Sequence, residues 1–136
     1  MLTRLIYASE SSQALTPTAV QQLVESASRA NKRRQLTGVL AFDQRAFLQC
    51  LEGSREDVSE LFCRIAADPR HQRIVLLESK PVHERQFSKW GMGYAAADAA
   101  GRGLFLRFGT SATFDPHTMS ADSALGLLNA LEERMA

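Results

Sequence analysis

Two polar side chains stand where strand-forming sequence would bury them, Tyr7 in LTRLIYAS and Gln49 in FLQCLEG. A carboxamide buried without partners costs on the order of 1–3 kcal/mol, and an inward-facing phenol has the same need for a hydrogen bond. On neighbouring strands the two groups could satisfy each other, which would make them a structural pair. A functional role requires a third party, something polar and planar beside them. Asn31 closes a helical segment and carries both donors and an acceptor, so it could read an edge where N–H and C=O lie side by side. It could equally be a helix C-cap. Asp68, Arg70 and His71 cluster in D-P-R-H, either as an internally bridged turn or as part of a site.

Other chemistries find little support. The chain has no Gly-rich phosphate loop, no G-x-S-x-G elbow and no His-x-x-x-His pair. His71, His83 and His117 lie in separate segments, so no metal site is expected. Cys50 and Cys63 sit in apolar contexts and read as reduced core thiols. Sixteen basic against fifteen acidic residues leave a net charge of +1, which gives no electrostatic case for nucleic acid or an anionic membrane. No apolar run is long enough to span a bilayer, and MLTRLIYAS is too short in its apolar part for a signal peptide, so a cytoplasmic protein is expected.

The elements that must position these residues follow from periodicity. Leu2 to Ser9 reads as a strand. Thr16-Pro17 caps a helix whose Ala19, Val20, Leu23, Val24, Ala27 and Ala30 recur at three and four residues, and Lys32 to Arg34 close it. Leu36 to Phe42 and Ala46 to Glu52 form a hairpin around Asp43-Gln44-Arg45. Ser54 opens a second helix that turns Val58, Leu61, Phe62, Ile65 and Ala66 inward and stops before Asp68-Pro69. Gln72 to Ser79 is a fourth strand and Gly91 to Ala95 a short fifth. The order is β-α-β-β-α-β(β), an α+β ferredoxin-like sheet with two helices on one face. From about Ala96 an Ala/Gly-rich stretch leads into two amphipathic helices, a C-terminal helical appendage. The second of these, Ser120 to Arg134, carries Leu125, Leu128 and Leu131 on one side. At 136 residues the chain suits a domain over 1–95 with an extension over 96–136.

Five segments in register resemble the BLUF family of flavin-using blue-light sensors. They are RLIYAS at 4–9, Asn31 followed by LTGVLAF at 36–42, FLQCLEG at 47–53, RIAADPRH at 64–71, and Arg85, Phe87, Trp90 and Met92 in R-x-F-x-x-W-x-M. The tail is similar to the C-terminal helices of short stand-alone members and carries no recognisable output enzyme. The resemblance implies FAD, non-covalently held between the two helices by Leu23 and Ile65. Tyr7 would hydrogen-bond Gln49, which would reach flavin N5 and O4. Asn31 would hold the pyrimidine edge, with Arg64, Asp68, Arg70 and His71 toward the other carbonyl and the ribityl–phosphate chain. The family's photochemistry takes an electron and a proton from the tyrosine and returns them, leaving the glutamine rotated or tautomerised and the absorption red-shifted. Trp90 and Met92, placed on the last strand, would relay the switch. Ala30 and Ala27 depart from residues frequent in the family, asparagine or histidine and serine respectively, each removing a polar contact.

The expected function is therefore a blue-light photoreceptor without enzymatic activity, signalling through its C-terminal helices to a partner protein or a homo-oligomer. A small acylphosphatase-like hydrolase or a flavin-free interaction domain on the same scaffold are the competing readings.

Overall fold

The structure is a computed structural model and describes residues 1–135. Strand β1 (Leu2–Ser11) leads to helix α1 (Pro17–Arg33), then β2 (Thr37–Phe42), β3 (Ala46–Ser54), helix α2 (Arg55–Ala67), β4 (His71–Pro81) and β5 (Gly93–Ala96). Two further helices follow, α3 (Arg102–Phe108) and α4 (Ala121–Glu133), with short 3₁₀ turns at Ala99–Gly101 and Pro116–Thr118. The sheet order is β4-β1-β3-β2-β5. β1 runs antiparallel to β3 and β4, β2 antiparallel to β3, and β5 parallel to β2. This is the split βαββαβ arrangement expected, with a fifth strand added.

Local chemistry sets the element ends. The Thr16 hydroxyl accepts from the Ala19 N–H at 3.1 Å, with Pro17 in the first turn of α1. At the other end Leu36 N–H returns to Asn31 O and Gln35 N–H to Lys32 O, with Gln35 left-handed at φ 58°. That is a Schellman termination built without glycine. The β2–β3 turn is held by Asp43 Oδ1, which accepts from the N–H groups of Arg45 and Ala46 at 3.0 and 2.8 Å. Phe42 and Phe47 stack beside it with centroids 4.2 Å apart.

The sheet is buried on both faces. Leu5, Tyr7, Leu40, Phe42, Phe47 and Leu51 pack toward α1 and α2 with Val20 and Val58. Ile6, Val39, Ala41, Leu48 and Cys50 face the other way and meet Phe87, Phe105, Phe114, Ala124, Leu127, Leu128 and Leu131. The C-terminal helical appendage thus packs on the sheet as a third layer. Leu128 and Leu131 are spent on the chain's own sheet, while Leu125 is half-buried against the same cluster. Double-sided burial is why β1 and β3 read as nearly continuous apolar runs instead of alternating ones.

Three expectations need correcting. Cys63 and Ala66 lie on the exposed side of α2, because that helix turns only Val58, Leu61, Phe62 and Ile65 inward. Trp90 and Met92 precede the fifth strand, which begins at Gly93, instead of lying on it. The segment before them is held by a buried carboxylate: Glu52 accepts from the N–H of Gln86 and Phe87 and from Thr37 Oγ1, and Arg85 Nη1 donates to Thr37 Oγ1 and Glu52 O. Those bonds fix the backbone in a looped path, and the ladder to β2 forms only after it.

Candidate functional site

A cleft of about 500 Å³ opens between α1 and α2, with the sheet as its floor. Helical spacing supplies the walls. Leu23, Val24 and Ala27 come from α1, and Leu61, Arg64 and Ile65 from α2. These apolar residues are only half-buried, since the face they present is the cleft itself. The floor is polar. Tyr7 and Gln49 are directly paired across β1 and β3, and Tyr7 Oη donates to Gln49 Oε1. The Gln49 Nε2 donates to Met92 Sδ at 3.2 Å. Asn31, 3% exposed at the end of α1, donates from Nδ2 to Gly91 O at 2.9 Å. Gly91 allows this approach, because a Cβ there would come within 2.8 Å of Ser28 O.

Each carboxamide has spent only part of its capacity. Gln49 uses its oxygen once and one of two N–H groups, and Asn31 uses one N–H. Both line the cleft, so the remaining capacity is available to an occupant. The Tyr7 phenol lies fully buried. Loss of solvation raises its pKa far above the ordinary phenol value, and the negative charge of Asp68 pushes the same way. Phe62 packs on it with centroids 5.5 Å apart.

At the far end of the cleft, Arg70 grips Asp68 through Nη2 at 2.6 Å and Nε at 3.1 Å. This hydrogen bonding holds the Asp68 carboxyl down at about 2. His71 Nδ1 lies 2.8 Å from Ser9 Oγ, and burial lowers its pKa, with Asp68 opposing and Arg70 reinforcing. At the mouth, Arg34 bridges α1 to α2 through Asp57 at 3.1 Å and Glu60 at 2.9 Å.

Of the residues singled out from the sequence, Tyr7, Leu23, Asn31, Gln49, Arg64, Ile65, Asp68, Arg70, His71 and Met92 all line this cleft. Trp90 does not. Its indole lies on the opposite face of the sheet, donating from Nε1 to Glu132 Oε2 at 3.0 Å. Ala27 and Ala30 also line the cleft. Sequence reasoning missed the Arg34 bridge, the Ser9–His71 contact and Glu132. The first could have been found from a basic helix end facing an acidic helix start; the last had no signal beyond an acidic residue on an amphipathic helix.

A family model described as sensors of blue light using FAD matches residues 2–93. The blue light- and temperature-regulated antirepressor BluF of Escherichia coli is 38% identical over 92 residues, covering 68% of this chain and 23% of that protein. The beta subunit of the photoactivated adenylate cyclase of Euglena longa is 33% identical over 93 residues, or 67% of this chain. The chain spans only 11% of that subunit's length. Among solved structures, BlsA in its photo-activated state superposes with a TM-score of 0.83 at 33% identity, covering 96% of this chain and 94% of the other. The dark-state structure of BlrB, a BLUF protein, gives 0.81 at 27% identity over 99% and 97%. The chain belongs to the BLUF family, and its cofactor is FAD. The cleft fits that group. Apolar walls suit a flat ring, and two half-used carboxamides suit its polar edge.

No helix among the described residues is long and apolar enough to cross a membrane. None of their His, Cys, Asp and Glu side chains group in threes to hold a metal ion.

Proposed function

We propose that this chain is a cytoplasmic, non-enzymatic blue-light sensor in which Tyr7 is the electron and proton donor and Gln49 the group that rearranges. On this reading 1–95 holds the flavin and 96–136 carries the output. The observation that carries it is the hydrogen-bonded series Tyr7–Gln49–Met92 along the cleft floor. FAD, when bound, supplies an oxidant that exists only under blue light. Tyr7 does the rest of the first step. In the resting state its phenol proton is tightly held, and burial leaves that proton one hydrogen-bonded acceptor, Gln49 Oε1. Loss of an electron turns the phenol into a strong acid, and the proton moves along that bond. A carboxamide that has taken a proton at oxygen can rotate or tautomerise, exchanging its donor and acceptor ends. Its bond to Met92 Sδ is then given up, and the electron and proton return to Tyr7. Apolar walls keep water from competing for the transferred proton.

Leu23 and Ile65 hold the ring from either helix, Asn31 fixes its polar edge, and Arg64, Arg70 and His71 serve the more polar end of the cofactor. Asp68 orients Arg70. The downstream element is a partner protein or a second copy of the chain, addressed through 96–136. A phosphate-hydrolysing site is the weaker reading, since Arg34, Arg64 and Arg70 are each already within 3.7 Å of a carboxylate.

Absorption spectroscopy of the purified chain tests this. A flavin spectrum that shifts slightly to the red in blue light and recovers in darkness is expected. Tyr7→Phe and Gln49→Leu should keep the flavin and lose the normal shift. A chain that cannot be loaded with FAD, or a normal photocycle in either variant, overturns the assignment.

A further inference from the structure

The segment from Lys89 to Gly93 is attached on both sides of the sheet. Inward, Met92 Sδ takes the Gln49 N–H and Gly91 O takes the Asn31 N–H. Outward, the Trp90 indole donates to Glu132 Oε2 at 3.0 Å, and Lys89 Nζ lies 3.6 Å from the same oxygen. Lys89 also stands over the indole, 5.7 Å from its centroid. Glu132 sits in the last turn of α4 with 13% of its side chain exposed, so this hydrogen bond is largely shielded from water. Gly93 lies against the same ring, although a Cβ there would meet Met135 Cε at 2.8 Å before Trp90 Cγ at 3.1 Å and Cδ2 at 3.2 Å. One residue separates the inward anchor at Met92 from the outward anchor at Trp90. Rearranging Gln49 removes the first anchor while the second still holds.

We infer that Glu132 is a positioning residue that fastens Trp90 to α4, so that a hydrogen-bond change at Gln49 is delivered to the C-terminal helix and the segment returns under that restraint. The inference rests on the light-sensor reading. It assigns α4 a specific point of contact with the photoactive residues, and it makes the carboxylate at 132 a determinant of the photocycle although it lies on the far side of the sheet from the cleft. Hydrogen bonds to charged groups are among the stronger individual contacts, so its loss should be felt in rates.

The test uses the flavin-loaded full chain. Trp90 is its single tryptophan, so tryptophan emission reports the surroundings of that one ring. Amide hydrogen exchange over Ala121–Glu133 is compared in darkness and under blue light, with the red shift and dark recovery followed in parallel. The parent should show a light-dependent change in Trp90 emission and in α4 exchange. Glu132→Ala keeps helix propensity but removes the acceptor. It should retain the red shift, lose the light-dependent exchange in α4 and recover at least about fivefold faster. Glu132→Gln keeps an oxygen acceptor for the indole and should behave nearly as the parent. A parental exchange difference and a parental recovery rate in Glu132→Ala overturn the inference and leave the sensor reading standing. A parent without any red shift overturns both.

Discussion

His71 is the residue through which acidity enters the fold. Burial lowers its folded-state pKa below the ordinary value near 6.5, so the neutral ring is the form the native state prefers. A group of this sign contributes stability above its unfolded pKa and loses it as pH falls through the folded value. Melting temperatures followed downward from pH 7 should therefore decline below about 6.5, and His71→Gln should flatten that part of the profile. Asp68 acts in a different window. With its carboxyl at about 2 against an ordinary 3.8, its contribution is complete above the ordinary carboxylate range and is lost progressively as pH falls from 3.8 to about 2. Carboxyl titration by NMR should show Asp68 rising toward its ordinary value in Arg70→Ala, because that guanidinium is the main cause of its depression. Side chains at this scale were largely legible in the sequence. Tyr7, Gln49 and Asn31 are polar residues in apolar runs, and such residues need partners. Which partner each takes was not legible. Asn31 gives an N–H to a backbone carbonyl sixty residues away, and Gln49 gives one to a thioether.

At the level of elements, periodicity and cap signals located the five strands, α1, α2 and α4, the tail's first helix was expected without bounds, and the errors fell where distant residues decide. Residues 82–92 run as a loop because Glu52 takes two of their backbone N–H groups, and no local pattern announces a carboxylate on another strand. The inward face of α2 was overcounted for a similar reason: a helix bordering an open cleft buries a narrower stripe than one bordering a filled core. The end of α1 offers a direct check. Gln35 adopts φ 58° at the position where glycine is favoured, and it is exposed. Gln35→Gly should raise stability by about 0.5–1 kcal/mol, read as a higher urea midpoint with an unchanged slope. Thr16→Ala should do the reverse by about 1 kcal/mol through loss of the N-cap at the start of the same helix.

Across the whole molecule, the sheet is the middle of three layers. Leu128 and Leu131 complete a core begun by Ile6, Val39 and Leu48, so the tail contributes to the stability of the strands that carry Tyr7 and Gln49. Leu128→Ala should cost about 2–5 kcal/mol in chemical unfolding, a penalty typical of a fully buried leucine. Its cleft lies beyond the sheet, so the flavin spectrum of the folded fraction should be unchanged. The sequence reading placed helices on one face of the sheet, and the near-continuous apolar runs of β1 and β3 find their reason in the second face, which the chain's own C-terminal helices cover.

The two-sided burial of the sheet has a practical corollary for protein engineering. Anything fused beyond α4 would stand on the face of the sheet opposite the cleft, behind a packed apolar layer. A cargo carried on the tail would leave the mouth of the cleft unobstructed, so such a fusion should take up FAD as the parent chain does.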